Sequence, residues 1–184
     1  SFAGKRALVC MKHVGLNVAA DAFVNSAMTG ANGGLVVVAA DDPSMHSSQN
    51  EQDSRFYGKF ALVPTFEPAD QQEAYDMAKA AFDLSERFRI PVLMRLTTRM
   101  AHSRAVVETG EARAENPLSH PEQPRQWVLM PGNSRVRYQT LLEDYARLEE
   151  ESAASPFNAY TEGPDKRLGI VACGIAHNYM MENY

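Results

Sequence analysis

The sequence predicts an α/β fold: a doubly wound, mostly parallel sheet with helices on both faces. Three observations predict it. Short apolar runs recur at Arg6–Lys12, Leu35–Ala40 and Ile90–Leu96, each of the length expected for a buried strand. Stretches with apolar residues at helical spacing separate them. Polar loops follow these runs at the strands' carboxyl ends, where open α/β sheets place their ligands.

The elements follow in order. Arg6–Lys12 reads as a strand. Asn17–Met28 reads as a helix with Asn17 as N-cap and Val18, Phe23, Val24 and Ala27 on its apolar face. Gly30, Gly33 and Gly34 end it. Leu35–Ala40 is the second strand, Asp41–Asp53 a loop, and Phe56 and Tyr57 lie on a short helix or turn. Ala61–Thr65 reads as a short strand closed by Pro64. Asp70 caps a long helix with Glu73 three residues on, the pattern of a capping box, and Ala74, Met77, Ala78, Ala81, Phe82 and Leu84 form its stripe. After the Ile90–Leu96 strand the pattern weakens. Ala101–Glu108 reads as one extended segment and Glu111–Arg125 as an exposed excursion. Trp127–Met130 is a short apolar run. Ser134 caps a charged helix to about Glu151, with Leu141 and Leu148 at helical spacing. Ser152–Asp165 reads as a linker, Arg167–Cys173 as a strand and Ile175–Tyr184 as a helix. That last βα unit is unfinished, so the sequence is expected to be a piece of a longer polypeptide.

Bulk properties narrow the function. The chain has 184 residues, 45% of them hydrophobic, and a net charge of −5. That is enough for one sizeable domain and lacks the basic footprint of a nucleic-acid binder. No run approaches the roughly 18 apolar residues of a membrane span. Cys10 and Cys173 sit in apolar runs and read as buried thiols of a reducing compartment. A cytoplasmic protein is expected, with no metal site of its own.

Three constellations fall at strand ends. In Met11–Asn17, Gly15 permits close approach of a ligand to the backbone, and His13 is either a site residue or a hydrogen-bonded turn histidine. In the loop to Arg55, Ser47, Ser48, Gln49 and Gln52 are neutral donors suited to a carboxylate or carbonyl, and His46 is suited to proton transfer. The plainer reading of this loop is a solvated connection, with Asp53 and Arg55 pairing at the surface. Arg95–Ser103 reads equally as an anion site or as a loop bonded to its own backbone.

These same residues carry a family resemblance. Met11–Asp21, Gly33–Pro43, His46–Asp53, Glu67–Met77, Pro91–Arg99 and His102–Ser103 resemble the α subunit of indolepyruvate:ferredoxin oxidoreductase. The resemblance runs in order through roughly the first 110 residues, weakens over 111–165 and returns at 168–184. It implies a thiamine-diphosphate enzyme that oxidatively decarboxylates aryl pyruvates with CoA to aryl-acetyl-CoA and CO2. Two electrons pass through [4Fe–4S] clusters to ferredoxin, in a route of amino acid catabolism. Expected in the intact enzyme are thiamine diphosphate, Mg²⁺, the clusters, the remainder of the α chain, a β subunit and an oligomeric assembly.

The resemblance implies a pyrimidine-type thiamine-diphosphate-binding domain over 1–155, a linker over 156–166, and the start of a transketolase-C-like domain over 167–184. The glutamate that engages thiamine's pyrimidine ring is expected before Ser1, so these residues alone are expected to bind no cofactor and to be inactive. By resemblance, His13, Gly15, Leu16 and Asn17 border the cofactor. Ser47, Ser48, Gln49, Asp53 and Arg55 bind substrate, His46 and Gln52 act catalytically, and Phe60 or Tyr57 walls the pocket. The alternatives are a pyruvate-type oxidoreductase and a non-catalytic module of the same fold.

Overall fold

The computed structural model describes residues 1–163 and 165–183. Four parallel strands, β1 (Ala7–Lys12), β2 (Leu35–Asp41), β3 (Thr65–Phe66) and β4 (Val92–Thr97), form one sheet in the order β1-β2-β4-β3. Around them lie α1 (His13–Val18), α2 (Ala20–Thr29), α3 (Arg55–Ala61), α4 (Gln71–Phe88), α5 (Thr98–His102), α6 (Pro131–Ala153) and α7 (Ile175–Asn183).

Because side chains alternate along a strand, the sheet has two apolar faces. Val37, Ala39 and Leu93 pack with Leu16, Phe23 and Leu141 on the face covered by α1, α2 and α6. Val36, Val92 and Met94 pack against Met77 and Ala81 of α4 on the other. Both faces are thus covered by helices, as the doubly wound reading expects.

The α4 start follows its sequence signature. Asp70 Oδ1 accepts the Glu73 N–H at 2.8 Å, and Glu73 Oε2 accepts the Ala69 N–H at 2.5 Å. Replacing Asp70 with alanine is expected to cost about 1 kcal/mol, a fall of about 2–4 °C in melting temperature, read by a thermal melt. The other end of this logic is Gly30, whose φ of +83° closes α2 in a conformation that suits glycine.

Several boundaries differ from the sequence reading, each for a local reason. The first helix begins at His13 rather than Asn17, because His13 and Leu16 are its buried positions. It is interrupted only at Ala19, across which the Ala19 N–Gly15 O and Phe23 N–Ala19 O bonds continue. Ala61 is the last residue of α3, not a strand. Leu62 adopts a left-handed C-cap, and the buried Ala61 and Val63 serve the core, leaving only Thr65–Phe66 to pair with β4. Residues 98–102 form α5, which takes in the first two residues of the Ala101–Glu108 segment expected to be extended. The charged helix starts at Pro131, with proline at its first turn and Met130 at the cap, so Ser134 lies inside it.

The 111–125 segment is exposed but pinned. Arg113 pairs with Asp83, Lys5 with Glu115 at 2.8 Å, and Asn116 donates to Glu86 at 2.6 Å. Residues 167–173 form no strand, since no neighbouring strand is there among the described residues to complete its hydrogen bonds. Phe157, in the expected linker, packs edge-on to Phe66 at 5.7 Å between ring centres. Both cysteines are exposed, against the expectation. Cys10 lies on β1, an edge strand whose Leu8 is 55% exposed, and Cys173 precedes α7.

Candidate functional site

Parallel pairing brings the carboxyl ends of β1, β2 and β4 side by side. Lys12 is in register with Ala40, and Asp41 with Thr97. His13, Asp42 and Thr98, each one residue further on, therefore share one edge of the sheet, and Glu67 joins them from the end of β3.

Two aspartates organise this edge. Asp41 is buried and accepts Arg95 Nε at 2.5 Å, the Ser54 N–H at 2.9 Å and the Ser54 hydroxyl. Arg95 also donates to Glu67 Oε1 at 2.5 Å and lies 3.7 Å from Asp53. This ion cluster ties β2, β4, the end of β3 and the start of α3 together. Asp42 is buried beside it and accepts Ser48 Oγ at 2.5 Å, the Ser47 N–H at 2.8 Å, Thr98 Oγ1 at 2.7 Å and the His46 N–H at 3.1 Å. The Ser48 hydroxyl, the Ser47 amide and the Thr98 hydroxyl hold the Asp42 carboxyl far below its ordinary value, against a smaller effect of burial. Ser44 and Met45 turn the chain through left-handed conformations between these anchors.

The loop is laid over α1. Lys12 Nζ donates to Ser47 O at 3.2 Å, and His13 Nε2 meets Asn50 O at 3.2 Å. His13 is fully buried, and its Nδ1 has no partner. Gln52 Nε2 donates to Asn50 Oδ1 at 3.1 Å, leaving Gln52 Oε1 buried and unpaired.

The sequence-selected residues divide into three groups. The Ser47 main-chain N–H and the Ser48 hydroxyl go to Asp42, so these groups hold the loop. Asp53 clamps Arg55 at 2.8 Å and lies below its ordinary pKa chiefly through that hydrogen bond. The same pairing keeps Arg55 firmly protonated. His46 and Gln49 are exposed.

At Gly15 an added Cβ would lie 3.1 Å from Met11 Cβ, a tight approach within the turn. The Leu16 side chain belongs to the core. Asn17 Oδ1 accepts the Tyr57 hydroxyl at 2.8 Å. Tyr57, Phe56, Phe60 and Tyr138 line an open groove of about 710 Å³ between α3 and α6.

In the third constellation, Arg95 and Thr98 serve the two aspartates, and Arg99 stacks on Tyr179 of α7, 5.1 Å from the ring centre. The sequence reading passed over Asp42, Glu67 and Asn50 as individual residues. For Asp42 the available signal was the pair of aspartates before Pro43 at a strand end. For Asn50, whose main-chain oxygen is the bonding group, there was none.

Residues 1–158 match the family described as pyruvate flavodoxin/ferredoxin oxidoreductase, thiamine diphosphate-binding. The chain belongs to this family. It is similar to proteins named indolepyruvate oxidoreductase subunit IorA. Identity is 48% over 185 residues with that of Archaeoglobus fulgidus (99% of this chain, 29% of that protein). It is 47% over 182 residues with that of Methanothermobacter marburgensis (97% and 29%), and 47% over 189 residues with that of Pyrococcus abyssi (99% and 29%). The chain spans 29% of the length of these curated relatives.

The edge fits part of the family's cofactor. Unpartnered buried polar atoms at His13 and Gln52 suit a polar ring laid against the β1–α1 turn. Asp41 and Asp42 are committed to arginine, hydroxyl or amide donors, and Glu67 bonds Arg95 through Oε1 while its Oε2 is buried without a hydrogen bond. No three His, Cys, Asp or Glu side chains cluster as a metal site among the described residues. Among the described residues the fit is to a polar ring, through His13 and Gln52.

Proposed function

We propose that residues 1–155 are the pyrimidine-side domain of a 2-oxo acid:ferredoxin oxidoreductase acting on indolepyruvate and related aryl pyruvates. In balance, the 2-oxo acid and CoA give aryl-acetyl-CoA, CO2, a proton and two electrons. The electrons leave through [4Fe–4S] clusters to ferredoxin. Mg²⁺, the clusters and the rest of the site belong to the remainder of the α chain and a β subunit, in an oligomer. The observation that carries this reading is identity of 43–48% with IorA proteins over 97–99% of this chain.

When bound, thiamine diphosphate supplies the electron sink for loss of CO2. This chain supplies position and charge. Arg55, Gln49 and His46 lie on the outer part of the loop, where cationic and neutral donors can hold the substrate carboxylate. His13 and Asn17 border the cofactor. Gln52, tied to Asn50, links the two regions, and the Asp42 anchors hold the loop in one shape so that these groups need little rearrangement. No helix of the described residues is long and apolar enough to cross a membrane, and transfer to a soluble ferredoxin would place the enzyme in the cytoplasm.

The test is anaerobic turnover by the complete protein with thiamine diphosphate, Mg²⁺ and CoA, following ferredoxin reduction. Indolepyruvate is expected to exceed pyruvate in kcat/KM by about tenfold or more. Preference for pyruvate would replace this reading with the pyruvate-type enzyme, and absence of turnover with any 2-oxo acid would leave a non-catalytic module.

A further inference from the structure

We infer that His13 Nδ1 and Gln52 Oε1, both set by Asn50, form an acceptor subsite that takes an N–H group of the bound ligand. The inference rests on the proposed function and deepens it.

The hydrogens can be placed by elimination. Asn50 O is a carbonyl and can only accept, so His13 Nε2 carries the hydrogen in their 3.2 Å contact. A second hydrogen on Nδ1 would put an unpaired charge at a fully buried residue, and no carboxylate bonds to this ring among the described residues. Nδ1 is therefore a bare lone pair. In Gln52, Nε2 donates to Asn50 Oδ1, and the atom left over is the carbonyl oxygen. Both unpaired atoms are acceptors. A carboxylate, itself only an acceptor, gains nothing from them, whereas an N–H donor satisfies them.

An unmade hydrogen bond of this kind is costly, and native proteins leave few such groups without a purpose. His13 Nδ1 lies beneath the loop that carries Gln52. Residues 43–53 form no helix or strand and most of them are exposed; Asp42 anchors residues 46–48, so a ligand reaches these atoms by movement of the 50–52 end of the loop. Closure of the loop over a ligand re-forms the Asn50 bond and presents Nδ1 as the acceptor.

Two sources supply such an N–H: the amino group on thiamine's pyrimidine ring, or the indole nitrogen of an aryl pyruvate. The test uses the complete enzyme, measuring the Kd of thiamine diphosphate by calorimetry and kcat/KM for indolepyruvate and for phenylpyruvate, which has no N–H. His13→Gln retains a donor toward Asn50 O and lacks the Nδ1 acceptor, whereas His13→Asn can keep an acceptor near Nδ1. Gln52→Met, at a half-buried position of the loop, is independent of any folding defect at position 13.

If the cofactor supplies the N–H, His13→Gln and Gln52→Met weaken its Kd about tenfold and both substrates lose equally. If the substrate supplies it, Kd holds, and indolepyruvate loses about tenfold more than phenylpyruvate. In either case His13→Asn outperforms His13→Gln. Unchanged Kd and unchanged substrate ratio, or His13→Gln outperforming His13→Asn, overturns the subsite. A wild-type enzyme that neither binds thiamine diphosphate nor turns over aryl pyruvate overturns the functional reading as well, so the two failures are distinguishable.

Discussion

Arg95→Leu is expected to be the most destabilising single change at this edge, by about 3–5 kcal/mol. For a chain of this size that lowers the melting temperature by roughly 6–20 °C. The side chain is nearly buried and lies within 2.5 Å of Asp41 and of Glu67. Removing its guanidinium leaves buried Asp41 with no cation among the described residues and Glu67 with Arg55 Nη1 alone, 3.7 Å away; the cost of taking them out of water remains while their attraction to Arg95 is gone. Arg95→Lys restores the charge at one point but not the fork that reaches Asp41 and Glu67 together, so partial recovery is expected. Adding Asp41→Asn to Arg95→Leu removes one of the stranded charges and should recover part of the lost stability. A double variant no better than the sum of its two single changes would show that the groups do not act as a unit. The measurement is thermal and denaturant unfolding of wild type, Arg95→Leu, Arg95→Lys, Asp41→Asn and the double variant.

That cluster shows where sequence reading succeeds and where it stops. The apolar runs of β1, β2 and β4 and the stripe of α4 are periodic signals, and they located the sheet, its two covered faces and the edge at which polar loops gather. Asp70 and Glu73 form a cap by bonds between near neighbours, so their spacing is enough. Asp41 and Glu67 are 54 and 28 residues from Arg95 along the chain, and only the strand order β1-β2-β4-β3 makes them neighbours. Arg95 could therefore be selected as a candidate anion ligand from its loop, but not recognised as a bridge. The same holds for Ser48: its residue type suits an anion, whereas the Asp42 carboxylate, six residues earlier, takes its hydrogen. The Ala61–Val63 run and the two cysteines misled because apolar character alone does not distinguish a helix end in the core, an edge strand or an irregular segment from a buried strand.

Asp42 carries the second large effect, and here it falls on function. Its carboxylate gathers four donors from His46, Ser47, Ser48 and Thr98. Asp42→Asn replaces one acceptor oxygen with an NH2 group that confronts those donors. The loop is then expected to lose its single shape, and misplacement by about 1 Å lowers kcat/KM of the complete enzyme about 100-fold. Faster protease cleavage within residues 44–53 is the matching structural readout; an intact loop with wild-type kinetics would remove Asp42 from this role. The acid response separates a lost carboxylate from general damage. The folded pKa of Asp42 lies far below its ordinary 3.8, so in that acid range the unfolded chain binds a proton that the folded one does not. Its contribution to stability is full above the ordinary value and declines as pH falls below it. In Asp42→Asn that dependence disappears, and proton uptake on unfolding below pH 3.8 falls by up to one. A residual acid dependence stays in both proteins. Asp53 is held down by its hydrogen bond to Arg55, and Glu86, which burial pushes upward, is held down on balance by Arg6 and Asn116. Equal acid slopes in wild type and variant would mean that Asp42 is not the ionised anchor of the loop.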